Sequence, residues 1–189
     1  FIGNLGPAAL WEIERPWWSN PVEPKQEGPF GVFVDEAELY RRMEQADQFQ
    51  LLKLDGREPG EGGLAIHANG TLLGAMQRGH DLDESLSAAV LLENLACKAS
   101  GAIALEHLLA DTGFPAGDVE YAIGCGEEAV GDRYQRGGGN LGKAIAEQAG
   151  CRNASGSDVK AFCAGPLHAL VMAASLVSSG VYSSVVVVA

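Results

Sequence analysis

Cys163 lies in the run Val159-Lys160-Ala161-Phe162-Cys163-Ala164-Gly165-Pro166. The apolar stretch Val159–Phe162 reads as a short strand. Pro166 suits the first turn of a helix, where its missing N–H costs nothing. Downstream, Ala169, Met172, Ala173, Leu176 and Val177 fall on one helical face. A cysteine between such elements meets the positive end of a helix dipole, which favours the thiolate and makes it a nucleophile. Backbone N–H groups of the same turn, near Gly165, offer oxyanion stabilisation. The carboxyl end of a parallel strand is also where α/β proteins place their sites. Against this stands the ordinary use of a lone cysteine as a small buried hydrophobe.

Three further groups invite chemistry. Glu127 and Glu128 are adjacent carboxylates. Buried, one of them suits acid/base work; exposed, they form a solvated acidic loop. Arg136-Gly137-Gly138-Gly139-Asn140 precedes a helix, so its glycines can cradle phosphate beside Arg136, or simply turn the chain with Asn140 as N-cap. It matches neither GxxxxGK[ST] nor GxGxxG. Cys125 closes a strand and is an accessory thiol or inert packing. His168 stands five residues after Cys163, a spacing that turns the two apart on a helix, and reads as structural. His67, His80 and His107 are scattered, with no metal-ligand spacing, so neither a metal nor another bound cofactor is expected.

The elements that must position these groups alternate. Val119–Ile123 reads as a strand, residues 125–139 as a loop and 140–149 as a helix. Strand Val159–Phe162, helix 166–179 and strand Val185–Val188 follow. Such alternation indicates βαβ units with a mostly parallel sheet and covering helices. The fully apolar last strand suits a sheet interior. Upstream, residues 85–110 form one long buried helix with Gly113 as C-cap. Asn69-Gly70 between Leu64–His67 and Thr71–Leu73 marks a hairpin, and residues 35–49 a charged helix with Leu39, Met43 and Ala46 on one face. Residues 1–30, with Pro16, Pro21, Pro24 and Pro29 and the Trp17-Trp18 pair, read as an extended arm that packs on its own domain or anchors a partner.

Composition narrows the class. The 189 residues carry a formal charge of −12, 47% hydrophobic and 20% charged residues. The charge argues against a nucleic-acid partner. The four cysteines form no CxxC pair, which fits reduced thiols and a cytoplasmic setting. No apolar run of 18 residues suggests a membrane span. The start at Phe1 and the final VVVVA strand suggest an internal fragment of a longer polypeptide.

The stretch SDVKAFCAGPLHALVMAASLVSSGVYSSVVVVA resembles the nucleophile segment of the thiolase-like superfamily, in particular ketoacyl synthase III. There a Cys-Ala/Ser-Gly turn leads into an Ala-rich helix, a small-Gly pair (Ser179-Gly180 here) and a valine-rich strand. The resemblance implies that Cys163 is the nucleophile. The run from Glu128 to Asp132 is similar to the glutamate loop of HMG-CoA synthases, which implies Glu128 rather than Glu127 as the acid/base group. Over nearly the whole chain, FIGN, EIERPWW, NLACKASGAIALEHLL, EEAVGDRYQRGGGNLGKAIAEQAGC and SDVKAFCAGPLHAL look like the β subunit of component C of glycine/sarcosine/betaine reductase.

That family implies an α/β thiolase-like half-fold at 81–189 behind a family-specific arm, helix and hairpin at 1–80. It implies acyl or carboxymethyl transfer from a selenoprotein toward acetyl phosphate, beside an α subunit resembling a phosphate acyltransferase, in a homodimer or hetero-oligomer. The histidine and the second partner of the family's nucleophile come from a C-terminal half that this chain lacks, so the fragment alone is expected to be inactive. Two rivals remain. One is a condensing enzyme acting on CoA or carrier-protein thioesters, and the other a non-catalytic scaffold subunit.

Overall fold

The Asn69-Gly70 signal becomes a hairpin in the computed structural model of the chain, where β4 (Leu64–Ala68) and β5 (Thr71–Met76) pair antiparallel. Gly70 supplies the positive φ of 75° that such a tight turn requires. A third strand, Leu52–Lys53, joins the far side of β5; two residues are too few to show a period in the sequence. The structure describes residues 34–189 except 69, 127–131, 133 and 136–138, with the backbone of 27–28 and 31–32. Trp17, Trp18, Asn69, Glu127, Glu128 and Arg136 therefore lie outside the described residues. The chain divides into two compact units, Phe1–Asp35 and Glu36–Ala189. The first contains an antiparallel pair, β1 (Glu27–Gly28) and β2 (Gly31–Val32). Counting from there, Leu52–Lys53 is β3.

In the second unit, α1 (Glu36–Ala46) buries Met43 and Ala46 and stops earlier than its periodicity suggests. Asp47 ends it, because its carboxylate accepts hydrogen bonds from the Leu51 and Leu52 N–H groups (2.7 and 2.8 Å) at the entrance to β3. The long helix α2 (Ala88–Thr112) begins on a Ser87 cap and ends on Gly113 in the left-handed conformation, φ 65°. It is apolar on nearly every face because it serves two cores. Leu91, Leu95 and Ala99 pack with Met43, Ile66 and Met76, while Leu105 and Leu109 pack with Ala122, Ile145 and Ala146.

The parallel sheet has the order β7-β6-β8, with β6 (Tyr121–Gly124) central between β7 (Ser155–Asp158) and β8 (Val185–Val188). Helices α2 and α3 (Leu141–Gln148) cover one face, and α4 (Gly165–Ser178) the other. The mixed α/β class with a parallel sheet is therefore the one observed. Two expectations need correction. Among the described residues β8 is an edge strand, not an interior one, and its four valines are half-buried. They are all apolar because Val186 and Val188 face α2 and α3 while Val185 and Val187 face α4.

The strand before Cys163 is also displaced, to the polar Ser155-Gly156-Ser157-Asp158 rather than Val159–Phe162. Backbone proximity decides this. A Cβ on Gly142 would lie 2.6 Å from Gly124 N and 2.9 Å from Ser157 O, and one on Gly156 would lie 2.8 Å from Ala122 O. Helix α3 thus rests on bare backbone of β6 and β7. Its first amides are taken by Asp158, whose carboxylate accepts from Leu141 N (2.9 Å) and Gly142 N (2.8 Å). The ladder continues only to Val159, whose N–H donates to Gly124 O.

Gly142→Ala, made in the full-length protein, is expected to destabilise by about 1–3 kcal/mol, because the added methyl meets backbone that has no rotamer to change. The denaturant midpoint reports this, and a loss below about 0.5 kcal/mol, within the range of an ordinary surface substitution, would contradict the backbone contact.

Candidate active site at the Cys163 turn

Once β7 ends at Asp158, three residues lead into a single 3₁₀ turn, Phe162–Ala164, which runs directly into α4. Cys163 is the middle residue of that turn and the exposed member of the four cysteines. Phe162 before it holds φ 47°, a region that a bulky side chain rarely adopts and that recurs where strain serves a site. Phe162 is also 81% exposed, so no packing of its ring explains the conformation. Within the turn Ala164 N–H donates to Ala161 O and Gly165 N–H to Phe162 O. These two bonds leave the Cys163 N–H outside the pair. Pro166 sits at the helix start, as its lack of a donor suggests.

Gly165 lets this turn approach β6. A Cβ there would lie 3.2 Å from the Cys125 carbonyl and 3.6 Å from its Cβ. Cys125 is buried, and its Sγ donates to Val188 O at 3.3 Å. Cys125 and Cys97 also line a pocket of about 370 Å³ whose walls include Ser100, Leu141, Ile145 and Val188. Lys160 Nζ donates to Gly126 O at 2.8 Å, tying the approach to the turn onto the loop that leaves β6. No disulfide links the cysteines. His168 is exposed on α4. Among the described residues no three His, Cys, Asp or Glu side chains converge as metal ligands would.

Glu128 and Arg136 lie outside the described residues, but the ends and middle of their loop are on view. Asn140 is the N-cap of α3, with Oδ1 accepting from Lys143 N at 2.7 Å. With Asp158 on the next two amides, the chain itself fills this helix N-terminus. The middle of the loop is buried: Asp132 and Gln135 are 0% exposed. Asn94 Nδ2 donates to Asp132 Oδ2 (2.9 Å), and Asp132 Oδ1 accepts from the N–H of Tyr134 (2.7 Å) and Gln135 (3.0 Å). Gln135 Nε2 donates to Asp47 Oδ1 at 3.1 Å. Lys98, one turn after Asn94, is buried and donates to Ala46 O at 2.7 Å. Sequence reasoning missed this group, although Asn94 and Lys98 are polar, four residues apart and set among the apolar residues Leu91, Leu95 and Ala99 of the helix.

Burial pushes the Lys98 ammonium below its usual range, opposed by Asp47, Glu147 and Asp132. Between that lowered value and the ordinary 10.5 the unfolded chain holds a proton that the folded one gives up, so stability rises with pH in this window. Tyr40 and Cys151 are pushed upward by burial, which makes their contribution opposite in sign. Lys98→Met should lower stability near pH 7 by about 1–3 kcal/mol, since the Ala46 carbonyl loses its buried donor, a hydrogen bond that the neutral amine also makes. The deficit of the variant should grow further as pH rises through the window. Paired urea titrations of wild type and variant at pH 7 and in the alkaline range cancel the other groups, and a deficit that shrinks with pH would contradict the assignment.

No family model matches the chain. A curated relative, the glycine/sarcosine/betaine reductase complex component C subunit beta of Peptoclostridium acidaminophilum, is 38% identical over 226 aligned residues that take in all of this chain. The chain spans 44% of that relative's length. Among solved structures, the priming β-ketosynthase of a polyketide biosynthetic pathway aligns with 46% of this chain and 24% of its own, at 29% identity and a TM-score of 0.40. The resemblance carried by the motifs therefore holds along the whole chain, which is a relative of the β subunit of component C of the glycine/sarcosine/betaine reductase complex.

Proposed function

We propose that the chain is the part of a component C β subunit that carries the nucleophilic thiol of an acyl-transfer step, and that Cys163 is that thiol. The observation that carries this reading is the Cys163 turn itself, an exposed cysteine after a left-handed Phe162 at the start of α4. In the acyl step the Cys163 thiolate attacks the carbonyl carbon of acetyl phosphate. The tetrahedral adduct then collapses, the C–O bond to phosphate breaks, and inorganic phosphate leaves a thioester on the sulfur. In the opposite direction phosphate attacks the thioester, releases acetyl phosphate and returns the thiolate. Backbone N–H groups of the turn around Gly165, the Cys163 amide foremost, stabilise the oxyanion. Glu128 moves protons, and Cys125 packs beneath the turn. In this reading a selenoprotein supplies the two-carbon unit, and an α subunit handles the phosphate.

Helix α4 supports the companion reading that residues 81–189 are half of a larger thiolase-like fold. It packs on the sheet through Ala169, Met172, Ala173 and Leu176, while Leu167, Leu170 and Val171 on its other side are 58–66% exposed. Apolar residues grouped this way mark a surface that another piece of protein covers. A further half of the polypeptide laid on α4 would bring the base that a cysteine nucleophile needs.

Cys163→Ala in the full-length protein, assayed with its component C partner, should lower turnover by at least about 10³-fold, the scale seen when a nucleophile is removed. Turnover within a few-fold of wild type would contradict the proposal and leave a scaffold role. Condensation of acyl-CoA by the wild type would instead favour a ketoacyl-synthase activity.

A further inference from the structure

Away from the Cys163 turn, cations gather where the fold does not use them. A pocket of about 620 Å³ is lined by Gln48 after α1, Lys98 of α2, Lys143, Glu147 and Gln148 of α3, and Arg152 just beyond that helix. Lys143 Nζ donates to Arg152 O at 3.5 Å, which brings the two residues together. Among the described residues neither of them forms an ion pair. Lys98 is 3% exposed, and its hydrogen bond to a described residue runs to Ala46 O at 2.7 Å. As ammonium or as amine it carries at least one more N–H. The buried carboxylates nearby are taken by other donors. Asp47 accepts from the Phe49, Leu51 and Leu52 amides and from Gln135 Nε2, and Asp132 from Asn94, Tyr134 and Gln135. Around the pocket three cationic side chains therefore face one carboxylate, that of Glu147, in a chain whose formal charge is −12. A buried donor short of an acceptor is costly, and cations gathered around one hollow repel each other unless an anion joins them.

We propose that this pocket binds the phosphate group of a small molecule. A phosphate presents more acceptor oxygens than a carboxylate, and the lining is rich in donors. Arg152 and Lys143 hold its oxygens, Lys98 donates from its buried position, and the amides of Gln48 and Gln148 supply the remaining N–H groups. Glu147 repels a second anionic group and accepts from a hydroxyl, so the site favours inorganic phosphate or a phosphate on a neutral, hydroxylated body over a polyanion. The amides that open α3 take no part, because Asn140 and Asp158 occupy them. The pocket shares no lining residue with the Cys163 turn, so the proposal stands apart from the reading of that turn.

The test uses the full-length protein, with inorganic phosphate and glycerol 3-phosphate as probes. Lys143 is acylated by a small N-hydroxysuccinimide ester. Mass spectrometry reads its labelling rate beside that of Lys53, an exposed lysine of β3 outside the pocket. With a probe at about ten times a dissociation constant of about 1 mM, Lys143 labelling should slow about tenfold while Lys53 is unchanged, as site occupancy dictates. Sodium chloride at the same ionic strength should leave both rates within about twofold, since screening acts on exposed lysines alike. Arg152→Gln and Lys98→Met should each cut the protection of Lys143 to below about twofold, because each removes a donor to the anion. Stronger protection by glycerol 3-phosphate supports an ester as the ligand, and stronger protection by inorganic phosphate supports the free ion. No protection by either probe at about 10 mM, equal protection by chloride, or full protection in Arg152→Gln would overturn the site. Should Lys98→Met fail to fold, Arg152→Gln, at an exposed position, decides alone.

Discussion

The backbone contact between α3 and the β6–β7 pair is the constraint on which the rest depends. Gly124, Gly142 and Gly156 let helix and strands meet with no side chain between them. Asp158 then closes the contact by accepting from the first two amides of α3. Asp158 is also the last residue of β7, so one carboxylate both caps the helix and ends the strand. The chain leaves the sheet there, and Cys163 lies five residues further on, at the carboxyl edge where parallel sheets place their sites. The Cys163 turn stands where it does because α3 sits where it does.

The second dependence runs through α2. Its apolar residues serve the hairpin core on one side and the parallel-sheet core on the other. Between them Asn94 and Lys98 reach out of the helix to the loop and to the end of α1. Buried polar groups of this kind contribute little net stability, yet they discriminate strongly against other arrangements, because an unpaired partner costs more than the bond supplies. The hairpin side of the unit is thereby joined to the loop that leaves β6. This gives a physical reason for an accessory layer in front of a parallel sheet.

Much of this was legible in the residues, for reasons that differ by element. Gly70 and Gly113 were readable because each stands where a positive φ is needed, and Asn140 because a side-chain oxygen satisfies an exposed helix amide. Helices α2 and α4 were readable from long apolar patterns. Strand β7 was not, since Ser155–Asp158 owes its place to glycine contacts and a cap, neither of which has a hydrophobic period. Strand β8, at the sheet edge among the described residues, is wholly apolar because helices cover both of its faces. The clamp on Asp132 joins residues 38 apart, and no local pattern announces such a pair. Cys163 was found through its neighbours, and its exposure and the strained residue before it came only with the coordinates.

Acetyl mapping tests the central claim most directly. The full-length protein and its component C partner are incubated with acetyl phosphate and quenched in acid, and the acetylated peptides are identified by mass spectrometry. The expected result is a thioester-bound acetyl group on the peptide containing Cys163, absent from Cys163→Ala. Acetyl found only on the partner's peptides, with Cys163 unlabelled at every time point, would contradict the claim that this turn carries the acyl group.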